Sequence, residues 1–243
     1  MLALAGASAL AGCGALRRPT RVPMDVLTLA GPCKGPAPVL LVMLPGAYSR
    51  PRDFVDEGFV DAVRSRAIAA DIALPDASLG YFEDRSVLHR LREDVVLPAR
   101  ARGTGRVWLV SISLGGFAAL GYAARHGDEI DGVVALAPYL GRRTLIQQIA
   151  AAGGPRAWAG ATAADDDPEA GLWRALAGGR SVPPVYLGAG RDDRFADAHA
   201  LLRTLLPAER CFDTAGGHDW STWRTLWNAW LARGLLPTHC AAR

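Results

Sequence analysis

At 243 residues, half of them hydrophobic and 21% charged, the chain has the length and balance of one globular α/β domain, with little left for a second. The formal net charge is +3, Lys34 is the single lysine, and the arginines are scattered among acids. No basic run and no basic patch interleaved with aromatics occurs, so the charge gives no reading as a nucleic-acid binder.

Met1 to Ala15 is rich in Ala, Leu and Gly, carries no charged side chain and is too short to span a bilayer as a helix. Its Leu10-Ala11-Gly12-Cys13 resembles the lipobox of bacterial lipoproteins. In that family the signal peptide is cut before the cysteine, the cysteine is lipidated, and small residues before the cut suit the peptidase pocket. This chain departs from the pattern in having no Lys or Arg before the apolar run. The resemblance implies a signal peptide over residues 1–12, a lipid on Cys13 and a place on the periplasmic side of the bacterial cell envelope. The alternative is a cytoplasmic enzyme with a hydrophobic N-terminus. Residues 13–23, charged and proline-bearing from Arg17 onwards, read as a linker, and 24–243 as the folded domain.

Met24 to Leu29 reads as an edge strand. Val39 to Leu44 is a continuous apolar run of the kind a parallel strand buried on both faces requires. Asp53 to Ala67 is predicted as one amphipathic helix with Phe54, Phe59, Val60 and Val63 near one face. A short strand over 70–74, a loop over 75–84 and a helix over 86–100 follow. Strand 107–110 runs into Ser111-Ile112-Ser113-Leu114-Gly115-Gly116 and then a small-residue helix over 114–125. Asp131 to Leu136 is the next strand. From about 139 to 184 the alternation stops, with short helices predicted around 142–152 and 168–177. An insertion of this size at the top of a sheet reads as a cap. Asp165-Asp166-Asp167 before Pro168 reads as a helix N-terminus rather than a metal site. Strand 185–188, helix 196–206, strand 209–213 and helix 222–235 complete the chain. Strands and helices alternating at this spacing predict an α/β fold: a mostly parallel sheet with helices on both faces and a small helical cap insertion.

The strand–turn–helix around Ser113 pushes a serine out of the sheet edge and aims the free N–H groups of a helix start at it. The hexapeptide resembles the G-x-S-x-G nucleophile elbow of α/β-hydrolases, with Ser111 in place of the first glycine. A serine hydroxyl needs a positioned base, and His218 lies in a glycine-bearing loop, Ala215-Gly216-Gly217-His218, after the last strand. The base needs a carboxylate, which Gly190-Arg191-Asp192-Asp193 offers after strand 185–188. The spacing favours Asp193 over Asp192, because a slip of one residue turns the side chain away. The order Ser113, Asp193, His218 is the α/β-hydrolase order. His89 and His199 fall within helices, His126 at a helix end and His239 in the tail, where packing or dipole readings suffice.

An oxyanion requires two backbone donors. Leu114 N–H is one. Pro45-Gly46-Ala47 is similar to the His-Gly-x segment of the family, with proline in place of histidine, and offers Ala47 N–H, with Tyr48 second. Gly216-Gly217-His218-Asp219-Trp220-Ser221-Thr222-Trp223 resembles the G-G-H-D-W-x-x-W segment of esterases. These resemblances imply a serine hydrolase that cleaves small-molecule carboxylic esters through an acyl-enzyme and needs no cofactor. Tyr48, Tyr139 and Trp220 border the expected site, either as a substrate pocket or as packing between cap and core. A thioesterase, lipase or peptidase using the same triad, and a non-catalytic binding lipoprotein, are the rival readings.

With Cys13 lipidated, Cys33, Cys211 and Cys240 remain; export allows one disulfide, with Cys33 to Cys240 preferred although sequence does not fix connectivity. No Cys/His spacing suggests zinc, and oligomeric state has no signature in the sequence.

Overall fold

The computed structural model describes residues 18–161, 166–179 and 183–240; the expected signal peptide and Cys13 lie outside the described residues. Seven strands form the sheet: β1 (Val26–Leu29), β2 (Val39–Leu44), β3 (Ala70–Pro75), β4 (Arg106–Ile112), β5 (Gly132–Leu136), β6 (Val185–Gly190) and β7 (Cys211–Thr214). Their spatial order is β1-β3-β2-β4-β5-β6-β7. Only β1 is antiparallel, pairing with β3 as the edge strand its short, half-exposed sequence predicts. Because β3 and β4 flank β2 on opposite sides, the chain reverses its winding direction there. Ligand crevices in open α/β sheets form at such a switch point, beyond the C-terminal strand ends.

Period-2 alternation divides the strands between two cores. Leu40, Val42, Leu44, Val107, Leu109, Val133 and Ala135 face one helical layer. Val39, Leu41, Met43, Trp108, Val110, Ile112 and Val134 face the other. The second face is covered by α1 (Asp53–Asp56), α2 (Phe59–Arg64) and α11 (Trp220–Leu231). In α11 the residues Trp223, Trp227 and Trp230 fall on one face, and Trp227 stacks between Phe59 and Trp230. The first face is covered by α3 (Leu79–Glu83), α4 (Val87–Leu91), α5 (Leu97–Ala101), α6 (Leu114–His126) and α10 (Ala196–Arg203).

Several sequence expectations are corrected. The single helix over 53–67 is two short ones, because Gly58 takes a left-handed conformation (φ 78°) between them. The loop over 75–84 contains α3. The helix over 86–100 is interrupted by a π-helical turn, Arg92–Val96, between α4 and α5. The insertion holds three helices among the described residues: α7 (Arg143–Ala151), the unforeseen α8 (Pro155–Ala161) and α9 (Pro168–Ala177). Asp167 accepts the Glu169 N–H and Pro168 opens α9, so the aspartate acts as a helix cap. α9 packs on α6 and α7 on α10, and Leu145, Ile149, Trp158 and Trp173 join the first core.

The stretch read as a linker is docked from Arg18 onwards. The Arg18 guanidinium donates to both Asp76 carboxylate oxygens and, at 2.9 Å, to the Ser49 carbonyl. Tyr81 Oη accepts the Arg21 N–H at 2.8 Å and donates to the Arg21 carbonyl at 3.0 Å. At the other end of the domain, Cys33 and Cys240 form a disulfide and Cys211 is free.

His199 on α10 is buried, with Nε2 3.0 Å from the Pro138 carbonyl and Nδ1 without a partner among the described residues. Since a carbonyl only accepts, Nε2 carries the proton and the ring is neutral. Burial pushes its pKa below the ordinary histidine value, against the opposing pull of the Asp193 charge. The folded state therefore binds fewer protons than the unfolded one below pH ~6.5, the unfolded value. The stability this group contributes is complete above that pH and is lost as pH falls through it toward the folded value, at up to ~1.4 kcal/mol per pH unit. Urea unfolding between pH 7 and 5 is expected to show this slope in the wild type and a flatter one in His199→Gln; equal slopes would contradict the assignment.

Candidate active site

The register of the central strands puts three loops at one place. Leu44 lies opposite Ser111, so the turn leaving β2 sits beside the turn leaving β4. Ser113 follows β4 at φ 51° and ψ −119°, a backbone region that L-residues rarely occupy and that costs about 1–3 kcal/mol. Its N–H donates to the Leu136 carbonyl at 3.2 Å, and its carbonyl accepts from Gly116 N–H at 2.9 Å and Tyr139 N–H at 2.8 Å. The crowding explains the small residues. A Cβ on Gly115 would stand 2.4 Å from the Leu44 carbonyl oxygen, and one on Gly116 2.4 Å from Pro138 Cβ. Ser111, in the place of the family's first glycine, is fully buried and donates its hydroxyl to the Val134 carbonyl at 3.2 Å.

Ser113 Oγ lies 2.9 Å from His218 Nε2, and His218 Nδ1 lies 2.9 Å from Asp193 Oδ2. In the tautomer that satisfies both contacts, Nδ1–H donates to the carboxylate and Nε2 accepts the serine hydroxyl proton. Asp193 is side-chain buried, and its Oδ1 accepts the Phe195 N–H at 2.8 Å. Burial opposes its charge, but the His218 and Phe195 hydrogen bonds outweigh it and hold the carboxyl below the usual aspartate range. Asp192, the alternative, is exposed. The His218 loop is carried past the end of β7 by backbone bonds from Arg191 N–H to Thr214 and from Asp192 N–H to Gly216. Asp219 then caps α11 by accepting Thr222 N–H at 3.0 Å. The imidazole is held edge-on between Phe195 and Trp223, with ring centroids 4.9 and 5.0 Å away.

Leu114 is the first residue of α6, so its N–H has no acceptor within the helix. Across from it, Gly46 approaches Ser113 so closely that a Cβ there would lie 3.3 Å from the serine Cβ, which brings Ala47 to the same rim. Ser49 N–H closes this turn on the Gly46 carbonyl at 3.1 Å, and Arg18 holds the Ser49 carbonyl from outside.

The three aromatic candidates differ. Tyr48, at the tip of this turn, is 70% exposed. Trp220 packs edge-on against Phe54, Phe59 and Trp223, which favours the packing reading for it. Tyr139 touches Phe117 and Phe195, and its hydroxyl donates to Glu169 of α9 at 2.5 Å; burial and that carboxylate raise its pKa. Glu169 is in turn held by Arg142 N–H at 2.9 Å. Phe195, Trp223, Glu169 and Arg18 were not singled out as site residues from sequence. Phe195 stands two positions after Asp193, a proximity that could have flagged it. Arg18 had no local signal. Among the described residues no cluster of His, Cys, Asp and Glu could hold a metal ion, and no helix is long and apolar enough to cross a membrane.

No protein-family model matches the chain, and no curated sequence matches it either. Solved structures do. An S-formylglutathione hydrolase from Staphylococcus aureus superposes with a TM-score of 0.56 at 16% identity, over 82% of this chain and 81% of that one. The fluorophosphonate-binding serine hydrolase F of the same organism gives 0.59 at 13% identity, over 86% and 91%. The bottromycin epimerase BotH gives 0.51 at 18% identity, over 88% and 100%, so the same scaffold also serves an enzyme named for another reaction. With its sheet order, its single antiparallel edge strand and these likenesses, the chain has the α/β-hydrolase fold.

Proposed function

We propose that the protein is a serine hydrolase acting on carboxylic esters through an acyl-enzyme. The observation that carries this reading is the unbroken contact from Ser113 Oγ through His218 to buried Asp193, at 2.9 Å in both steps. Ser113 Oγ attacks the ester carbonyl carbon while His218 Nε2 takes its proton. Asp193 keeps the imidazole in register and stabilises the imidazolium. Ala47 and Leu114 N–H donate to the oxyanion, with Tyr48 N–H as the second choice on the β2 turn. His218 then protonates the departing alcohol, and a water deprotonated by the same nitrogen releases the acid and restores Ser113. Each step uses groups of the chain, the substrate and water.

The insertion supplies one side of the site through Tyr139, braced by Glu169 and Arg142, with Phe117 and Phe195 beside it. Among structural neighbours, a ferulic acid esterase superposes with a TM-score of 0.54 at 17% identity, over 87% of this chain and 96% of that one, which accords with ester chemistry. We further infer that the chain is a bacterial envelope lipoprotein, cut after residue 12 and anchored by a lipid on Cys13. The Cys33–Cys240 disulfide supports export, because such bonds persist in oxidising compartments.

Hydrolysis of p-nitrophenyl acyl esters tests the enzyme reading. Ser113→Ala is expected to lose at least ~10³-fold in rate while staying folded. A near-wild-type rate would overturn the assignment. Arg18→Ala is expected to lower kcat about tenfold with little change in KM, because it loosens the oxyanion turn without deleting a donor. Arg18→Lys restores little, since a point charge cannot replace the guanidinium fork across Asp76 and Ser49. An unchanged kcat in Arg18→Ala would show that the turn holds its shape unaided.

A further inference from the structure

The docked segment 18–25 crosses the C-terminal edge of the sheet, where the candidate site opens. It is fixed at Arg18 by Asp76 and Ser49, at Arg21 by Tyr81, and at Met24, whose N–H donates to Asp94 at 2.8 Å. The chain thus enters the described fold beside the oxyanion turn itself, because Ser49 belongs to that turn. Cys13 stands five residues before Arg18. Even fully extended, that distance is at most ~18 Å. A lipid on Cys13 buried in a bilayer therefore holds the site edge, rather than any other face, next to the membrane.

The surface there suits such a place. Of the four exposed large hydrophobic residues among those described, Val22 (78% exposed) lies on the docked segment and Tyr48 (70%) on the oxyanion turn. An exposed tyrosine is of the kind enriched at a bilayer interface, and an exposed valine on the same edge adds apolar surface. Arg21 pairs with Asp25 at 3.0 Å and Arg52 with Asp56 at 3.8 Å, while the exposed Arg50 beside Tyr48 has no ion pair among the described residues.

We propose that the edge bearing Val22, Tyr48 and the oxyanion turn faces the bilayer, and that the enzyme takes its substrate there, an amphiphilic acyl ester whose chain lies in the membrane. This deepens the proposed ester hydrolysis and rests on the lipid anchor proposed with it.

The test uses the full-length lipoprotein reconstituted in phosphatidylcholine vesicles containing brominated lipids. A fluorophore is attached at Val22→Cys or at Arg102→Cys, the latter exposed near the start of β4 at the opposite sheet edge, both in a Cys211→Ser background. Quenching at position 22 is expected to exceed that at 102 by at least about threefold. Equal or inverted quenching would overturn the orientation. The mass of the N-terminal peptide reports the lipid separately, and its absence would overturn the anchor and the orientation with it. Inserting about twenty Gly/Ser residues between Ala15 and Leu16 relaxes the tether. That variant is expected to hydrolyse a long-chain ester embedded in the vesicles at least about fivefold more slowly, while its rate on a soluble short-chain ester is unchanged. Full activity on the embedded ester would contradict the proposal, whereas a wild type inactive on both esters would defeat the hydrolase reading and the substrate half of the proposal with it, the quenching result still deciding the orientation.

Discussion

A serine held in a backbone conformation that serine avoids is the constraint on which the rest of the structure depends. At φ 51° the Ser113 side chain projects from the sheet edge, and three backbone hydrogen bonds to Leu136, Gly116 and Tyr139 keep it there. Those bonds tie the turn to β5, to the first turn of α6 and to the start of the insertion. The surrounding fold must therefore be well formed before the strain can be supported. Crowding does the remainder, since Gly115 and Gly116 allow the elbow to press against Leu44 and Pro138 where no side chain would fit.

The parallel sheet supplies the partners. Strands β4, β6 and β7 deliver Ser113, Asp193 and His218 to the same edge, and β2 brings the Gly46–Ser49 turn up beside Ser113. Each loop is short and tied to its neighbours, so the imidazole is placed by the ladder and by Phe195 and Trp223 rather than by a long flexible excursion. The carboxylate is buried but satisfied by two donors, which lets it stay charged beneath the ring.

Much of this was legible in the sequence because the relevant signals are local. Val39–Leu44 agrees to the residue with the predicted strand, since an unbroken apolar run has few other homes. Ser113, Asp193 and His218 each follow a strand and stand by glycines, so residue type and position agree. Capping chemistry likewise identified the helix start before Pro168, and Asp167 is seen in that role. What escaped depends on distant partners. Arg18 sits among residues that read as a linker, and its acceptor Asp76 is 58 positions away. Trp220 could be pocket or packing until Phe54 and Phe59 were seen against it. The helix over 53–67 failed because hydrophobic periodicity continues smoothly across Gly58 while the backbone does not.

The central claim is that Ser113 is an activated nucleophile within this geometry, and the most direct measurement is to react the purified protein with a fluorophosphonate and map the adduct by peptide mass spectrometry. The predicted result is a single phosphonyl group on Ser113, absent from His218→Gln, in which the base is removed but the fold is kept. No adduct on folded wild-type protein, or an adduct on another serine, would contradict it.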